Sequence, residues 1–220
     1  MAYHLQVQEV IEIGRRMYRA GYIVGTEGNI SVRLSTDAIL ITASGRRKGE
    51  LQPEDVVLVD ATGQLRSGEG RVSTEVALHL EVYRQRADVQ AVIHAHPPYC
   101  IALMLSGRTL DVPILPESVI LLGKVPCAAY ARPSTPQVPD AIHSLIRQTD
   151  LILLDRHGSL TVGQSLQEAF VKLEVLEHTA KVYWMALQIG KVTPLPPEEV
   201  KALMEMRQTT YGINWPIIAF

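Results

Sequence analysis

Seven consecutive residues, Ala91-Val92-Ile93-His94-Ala95-His96-Pro97, carry the most chemical information in this 220-residue chain. An apolar run ends in two histidines one residue apart. If the run is a strand, side chains alternate and His94 and His96 share one face. Pro97 cannot extend a hydrogen-bonded ladder, so the pair is left at a rim that substrate can reach. Two imidazoles placed this way can grip one metal ion; the plainer reading is two histidines that end a core strand. His157, in Asp155-Arg156-His157-Gly158, is the third candidate, because it too follows an apolar strand, Leu151-Ile152-Leu153-Leu154. Three neutral imidazoles leave a tetrahedral ion one position for water or substrate. Of the remaining histidines, His4 lies near a terminus, and His143 and His178 fall in helical stretches.

Glu75 opens a helix behind Ser73 and Thr74. An acidic first turn favours the helix dipole whatever else it does. Ser73 and Thr74 are also hydroxyls beside exposed amides, which is what a phosphate needs. Gly25-Thr26-Glu27-Gly28-Asn29 and Thr42-Ala43-Ser44-Gly45 offer the same combination, although such clusters also make ordinary turns. Neither matches a P-loop, and no Rossmann glycine fingerprint is present. His79 follows Glu75 by four residues and shares its helical face. It serves either to orient Glu75 or a metal ligand from behind, or as a satisfied core histidine.

The elements that must position these residues read as follows. Helical spacing covers about 4–20, stopped by Gly21. Residues 30–34 and 38–42 form a hairpin, 56–59 a short strand with a turn at Thr62-Gly63, and 73–87 a helix. The histidine-bearing strand spans 89–95, and a helix follows at 98–106. Extended pieces fall near 111–115 and 124–129, and a helix at 135–148 has Pro136 just inside its start. Strands at 151–154 and 159–162 precede a long helix over 165–189, ended by Gly190, and a last helix over 197–208. Several strand pairs are joined by short turns, which excludes a purely parallel doubly wound sheet. The expectation is a three-layer α/β/α fold with a mixed, mainly antiparallel central sheet, in one domain over residues 1–220.

Composition removes other classes. A net charge of −2 gives no reason to expect nucleic acid or an anionic membrane as partner. No apolar run is long enough to span a bilayer. Met1-Ala2-Tyr3-His4-Leu5-Gln6 has no basic segment followed by an apolar one, so no secretory signal is expected. Cys100 and Cys127 are the two cysteines and lack zinc spacing, which points to reduced thiols in a cytoplasmic protein.

Taken in order, GTEGNISVRL (25–34), ITASG (41–45), PEDVVLVD (53–60), STEVALHLEVYRQRADVQAVIHAHPPYC (73–100), VPCAAYA (125–131), LILLDRHGSLTVG (151–163) and TTYGIN (209–214) resemble the class II aldolase/adducin family. The likeness is strongest to its small metal-dependent sugar-phosphate aldolases. The resemblance implies a homotetramer with sites at subunit interfaces and a divalent ion, usually zinc with manganese or cobalt as alternatives, on His94, His96 and His157. It implies Glu75 as the catalytic carboxylate, and Thr26, Gly28, Asn29, Ser44, Gly45, Ser73 and Thr74 around a substrate phosphate. It places a carboxyl-terminal catalytic tyrosine on Tyr211, whose alternative is a tail residue packed on a neighbouring subunit. The implied reaction cleaves or forms a C–C bond in a small phosphorylated ketose through a metal-stabilised enediolate. A pentulose-phosphate 4-epimerase, a sugar-phosphate dehydratase and a non-catalytic adducin-like module share the scaffold, and loss of the histidines would mark the last. The chain departs from the aldolase pattern at Leu115 and Pro133, where aromatic residues are usual. Lys48 adds a positive charge near the anionic end of substrate or is a solvated loop lysine, and Glu117 is a new polar group at the site or a surface residue.

Overall fold

The structure, a computed structural model, describes residues 3–220; Met1 and Ala2 lie outside them. Eight strands form one sheet: β1 (Asn29–Ser35), β2 (Ala38–Thr42), β3 (Val56–Val59), β4 (Leu65–Ser67), β5 (Ala91–Ala95), β6 (Cys127–Ala128), β7 (Leu151–Leu154) and β8 (Gly158–Gly163). Their order is β4-β3-β2-β1-β5-β8-β7-β6. Only β6 and β7 pair in parallel, so the sheet is mixed and mainly antiparallel, as expected.

Alternation along the strands divides the core in two. Ile39, Ile41, Val57, Val59, Val92, Leu160 and Val162 point to one face, covered by α2 (Val76–Gln85) and α5 (Gln137–Ile142). Ile30, Leu40, Val56, Ala91 and Ile93 point to the other, covered by α1 (His4–Arg19) and α6 (Leu166–Ile189). Near the β7 end of the second face, α3 (Pro98–Leu105) packs on α6 around Leu151, Leu153 and Leu176. The helices therefore make the two outer layers. The Ser165 side chain accepts from the Glu168 amide and fixes the start of α6.

Three local readings differ. Residues 116–121 form a helix, α4 (Pro116–Leu121), where only flanking extended pieces were expected. Pro116 and Glu117 are its first two residues and are ordinary start signals. The expected helix over 135–148 is confined to α5; Pro136 is its cap and Pro139 removes an amide within it. Beyond Ile142 the chain continues in turns, and the Ile146 carbonyl accepts from the Arg86 guanidinium. Residues 65–67 add an exposed edge strand not read from the sequence. A last helix, α7 (Pro197–Thr209), packs on α4.

Candidate metal centre

His94 and His96 leave β5 on the α2 face, as period two requires. Asn29, the first residue of β1, is directly across from His94 in the antiparallel register. His157 sits in the turn between β7 and β8, where Arg156 takes a left-handed conformation with φ 57°. Gly158 lets β8 close on β5: a Cβ there would lie 2.2 Å from the Ala95 carbonyl oxygen and 3.0 Å from the His96 ring. Gly28, at φ +68°, plays the same part on the other side, since a Cβ would meet the His94 carbonyl oxygen at 2.7 Å. The three rings meet with centroids 4.7–5.0 Å apart.

One hydrogen bond sets the His94 tautomer. His94 Nδ1–H donates to the Ser159 carbonyl at 2.9 Å, which leaves a lone pair on Nε2. His96 Nδ1 lies 3.4 Å from the Glu27 carboxylate. The two Nε2 atoms are 3.0 Å apart. Burial pushes the His94 pKa down to about 3, helped by the neighbouring His157. Burial likewise lowers His96 to about 4, with His94 and His157 adding to the effect. Both rings are neutral at pH 7, so the bare His94 Nε2 faces His96 Nε2 with at most one proton between them.

Glu75, the cap of α2, completes the group. Its Oε2 is 3.4 Å from His94 Nε2 and its Oε1 is 3.3 Å from His157 Nε2. Oε1 is buried and has no hydrogen-bond partner. The three convergent imidazoles are a donor set that fits a divalent cation, and the orphaned carboxylate oxygen lies beside them.

A cavity of about 250 Å³ opens beside Glu75 and His96, lined by Thr26, Gly28, Asn29, Ser44, Gly45, Ser73 and Thr74. Sequence reasoning named each of these, and the structure brings them together. Lys48 also lines the cavity and is not a solvated loop lysine: it is 2% exposed. Its ammonium donates to the Thr26 carbonyl at 2.6 Å and the Arg46 carbonyl at 2.9 Å. It forms no ion pair among the described residues, and burial lowers its pKa to about 8, partly offset by Glu75 and Glu27. On the far side of Glu75 a second cavity of about 310 Å³ is lined by Thr74, Ser134 and Pro136. Ser134, next to the exposed Pro133, donates to the Thr74 hydroxyl at 2.9 Å.

Tyr211 is not gathered with these residues. It is 55% exposed beyond α7, and the adjoining Gly212 and Asn214 line a cavity with Arg86, Asp88 and Gly163. Gly163 pairs with Ala91, the end of β5 remote from the histidines. Leu115 caps α4, which packs on α6 and α7, and Glu117 is an exposed residue of its first turn. Sequence reasoning gave no part to Glu27, Ser31, Tyr83 or the Ser159 carbonyl. The alternation of Asn29 and Ser31 on the face beneath His79 was the available signal for Ser31.

A layered α/β/α fold with this donor set at one sheet end is the arrangement of a divalent-metal-dependent enzyme. The chain belongs to the class II aldolase family: the model described as Class II Aldolase and Adducin N-terminal domain matches residues 8–184. It is 33% identical to an L-fuculose phosphate aldolase of Methanococcus vannielii, over 85% of this chain and 100% of that one. It is also 33% identical to a 3-oxo-tetronate 4-phosphate decarboxylase of Haemophilus influenzae, over 90% and 95%. A solved L-fuculose 1-phosphate aldolase superposes with a TM-score of 0.82 at 32% identity, covering 90% of this chain and 94% of that one. No helix among the described residues is long and apolar enough to cross a membrane.

Proposed function

We propose that the protein is a metal-dependent aldolase that cleaves or forms a C–C bond in a small phosphorylated ketose. The observation that carries this reading is the buried, unpartnered Glu75 Oε1, beside three convergent imidazoles at the mouth of an anion-suited cavity. His94, His96 and His157 would hold a divalent ion, zinc in this reading with manganese or cobalt as substitutes, whose chemistry is Lewis-acid polarisation of a carbonyl.

The chain's own residues do the rest. Lys48 is a buried cation with no ion-pair partner among the described residues, so an arriving phosphate supplies one. The Ser44, Ser73, Thr74 and Thr26 hydroxyls and the amides around Gly28 and Gly45 surround the same group. With that end fixed, Glu75 Oε1 takes a proton from the carbon beside the substrate ketone during condensation and returns it during cleavage. Asn29 holds the other oxygen of Glu75 through a 2.8 Å hydrogen bond. Tyr211 cannot reach this chain's Glu75 from the opposite end of β5; in a homotetramer it would join a neighbour's site. We place the protein in the cytoplasm, where the free thiols of Cys100 and Cys127 stay reduced.

The decarboxylase likeness favours a second reading, loss of carbon dioxide from a 3-oxo acid phosphate on the same residues. One panel separates the readings. Metal-loaded protein is incubated with dihydroxyacetone phosphate and a set of aldehydes in deuterated water, and in parallel with a 3-oxo acid phosphate. The aldolase reading predicts deuterium in the ketone donor and a new sugar phosphate. Gas release without C–C bond formation transfers the assignment to the decarboxylase. Exchange without new sugar favours epimerase or dehydratase chemistry.

A further inference from the structure

Behind Glu75 a row of buried polar groups runs under α2. Tyr83 Oη lies 2.7 Å from Ser31 Oγ, and Ser31 Oγ lies 2.6 Å from His79 Nδ1. His79 Nε2 contacts Asn29 Oδ1, and Asn29 Nδ2 lies 2.8 Å from Glu75 Oε2. His79 and Ser31 are fully buried.

The chemistry allows this row one direction. An ionised carboxylate only accepts, so Asn29 must present its NH2 to Glu75. Its carbonyl then faces His79, which must carry its proton on Nε2. Burial lowers the His79 pKa to about 3, so the ring is neutral and Nδ1 can only accept. Ser31 therefore donates to Nδ1 and accepts from Tyr83. Every donor points toward Glu75.

We infer that His79 is a positioning residue for the catalytic base: through Asn29 it pins Glu75 Oε2 and leaves Oε1 as the oxygen that moves the proton. The inference rests on Glu75 being the base. Without the Nε2–H, the buried Asn29 carbonyl loses its donor and the amide is held from the Glu75 side alone, so its grip on Oε2 loosens.

Two size-matched variants separate positioning from packing. Gln at this position places a donor where Nε2 stood, whereas Asn reaches only as far as Nδ1. The expectation is that His79→Gln keeps kcat within about threefold, while His79→Asn loses about ten- to a hundredfold. KM and metal content stay at wild-type values in both. Equal kcat in the two variants would overturn the proposal, even if both melt earlier. Should His79→Asn fail to fold, Ser31→Ala removes the donor to Nδ1 and is expected to lower kcat in the same direction; wild-type kcat there counts against the row. A readout free of activity is nitrogen-15 NMR of metal-loaded protein labelled at histidine, with His79 assigned by its loss in His79→Gln. The expected species is the Nε2–H tautomer with bare Nδ1; an Nδ1–H ring or an imidazolium overturns the proposal. If that tautomer is found but no substrate turns over, the aldolase reading fails and the row stands.

Discussion

The two ends of α2 enter two polar clusters of opposite character. At its start, Glu75 lies beside His94, His96 and His157, and the cluster is incomplete: three imidazoles converge and the buried Glu75 Oε1 has no partner. At its end, Arg86 meets Asp150 at 2.8 Å and Asp88 at 2.7 Å. Lys172 joins them, 2.6 Å from Asp150, beside Glu168 and donating to the Val162 carbonyl. Trp215 covers Lys172, with the ammonium 4.1 Å from its ring centroid. The centre of the second cluster is as buried as the first, with Asp150 and Lys172 each 1% exposed, yet each of its charges is matched. Four residues of β7, Leu151–Leu154, separate Asp150 from the His157 turn. Burial alone does not mark a site; unmatched donors and acceptors do.

That contrast can be broken from either end. The largest effect is expected at the incomplete cluster. Glu75→Gln preserves shape but cannot take a proton, and turnover should fall by about 10²- to 10⁴-fold with melting temperature little changed. Steady-state kinetics beside a thermal melt checks both halves of this. At the complete cluster the pattern should reverse. Lys172→Met leaves Asp150 and Glu168 short of a cation and should cost about 3–5 kcal/mol in denaturant unfolding. Metal content and kcat of the folded fraction should be unaffected. A Lys172→Met protein that is fully stable but inactive would erase the distinction drawn here.

A smaller effect comes from pH. His79 is neutral and buried in the fold, and ionises near 6.5 when unfolded. Its folded pKa is depressed, so the unfolded state binds the proton first, and stability present above pH 6.5 is lost as pH falls toward about 3. At pH 5 this one residue accounts for about 2 kcal/mol. Denaturant unfolding of the metal-free protein between pH 7 and pH 5 should show that loss, and His79→Gln should show less of it.

The sequence made the metal end more legible than its surroundings. His94 and His96 follow from period two alone, and Pro97 from its missing amide. His157 needed only the turn that ends β7. The row from Tyr83 to Asn29 was hidden because it depends on the register that sets Asn29 opposite His94 and on α2 lying across it. Lys48 stayed open between a charge at the anionic end of substrate and a solvated loop lysine, because its burial depends on the Thr26 loop, distant in sequence. Among the elements, α4 was missed although Pro116 and Glu117 signal a helix start, because six residues carry too little periodicity. The 135–148 segment kept an apolar helical pattern while its hydrogen bonds broke into turns. Tyr211 could not be placed by either route within one chain, since its neighbours join the remote end of β5.

We propose that His94, His96 and His157 form one metal centre. Elemental analysis of purified wild type, His94→Ala and His157→Ala after loading with zinc and exhaustive dialysis tests it most directly. The expected result is one equivalent of zinc in wild type and almost none in either variant, with all three proteins folded. Stoichiometric zinc retained by His94→Ala would contradict the account.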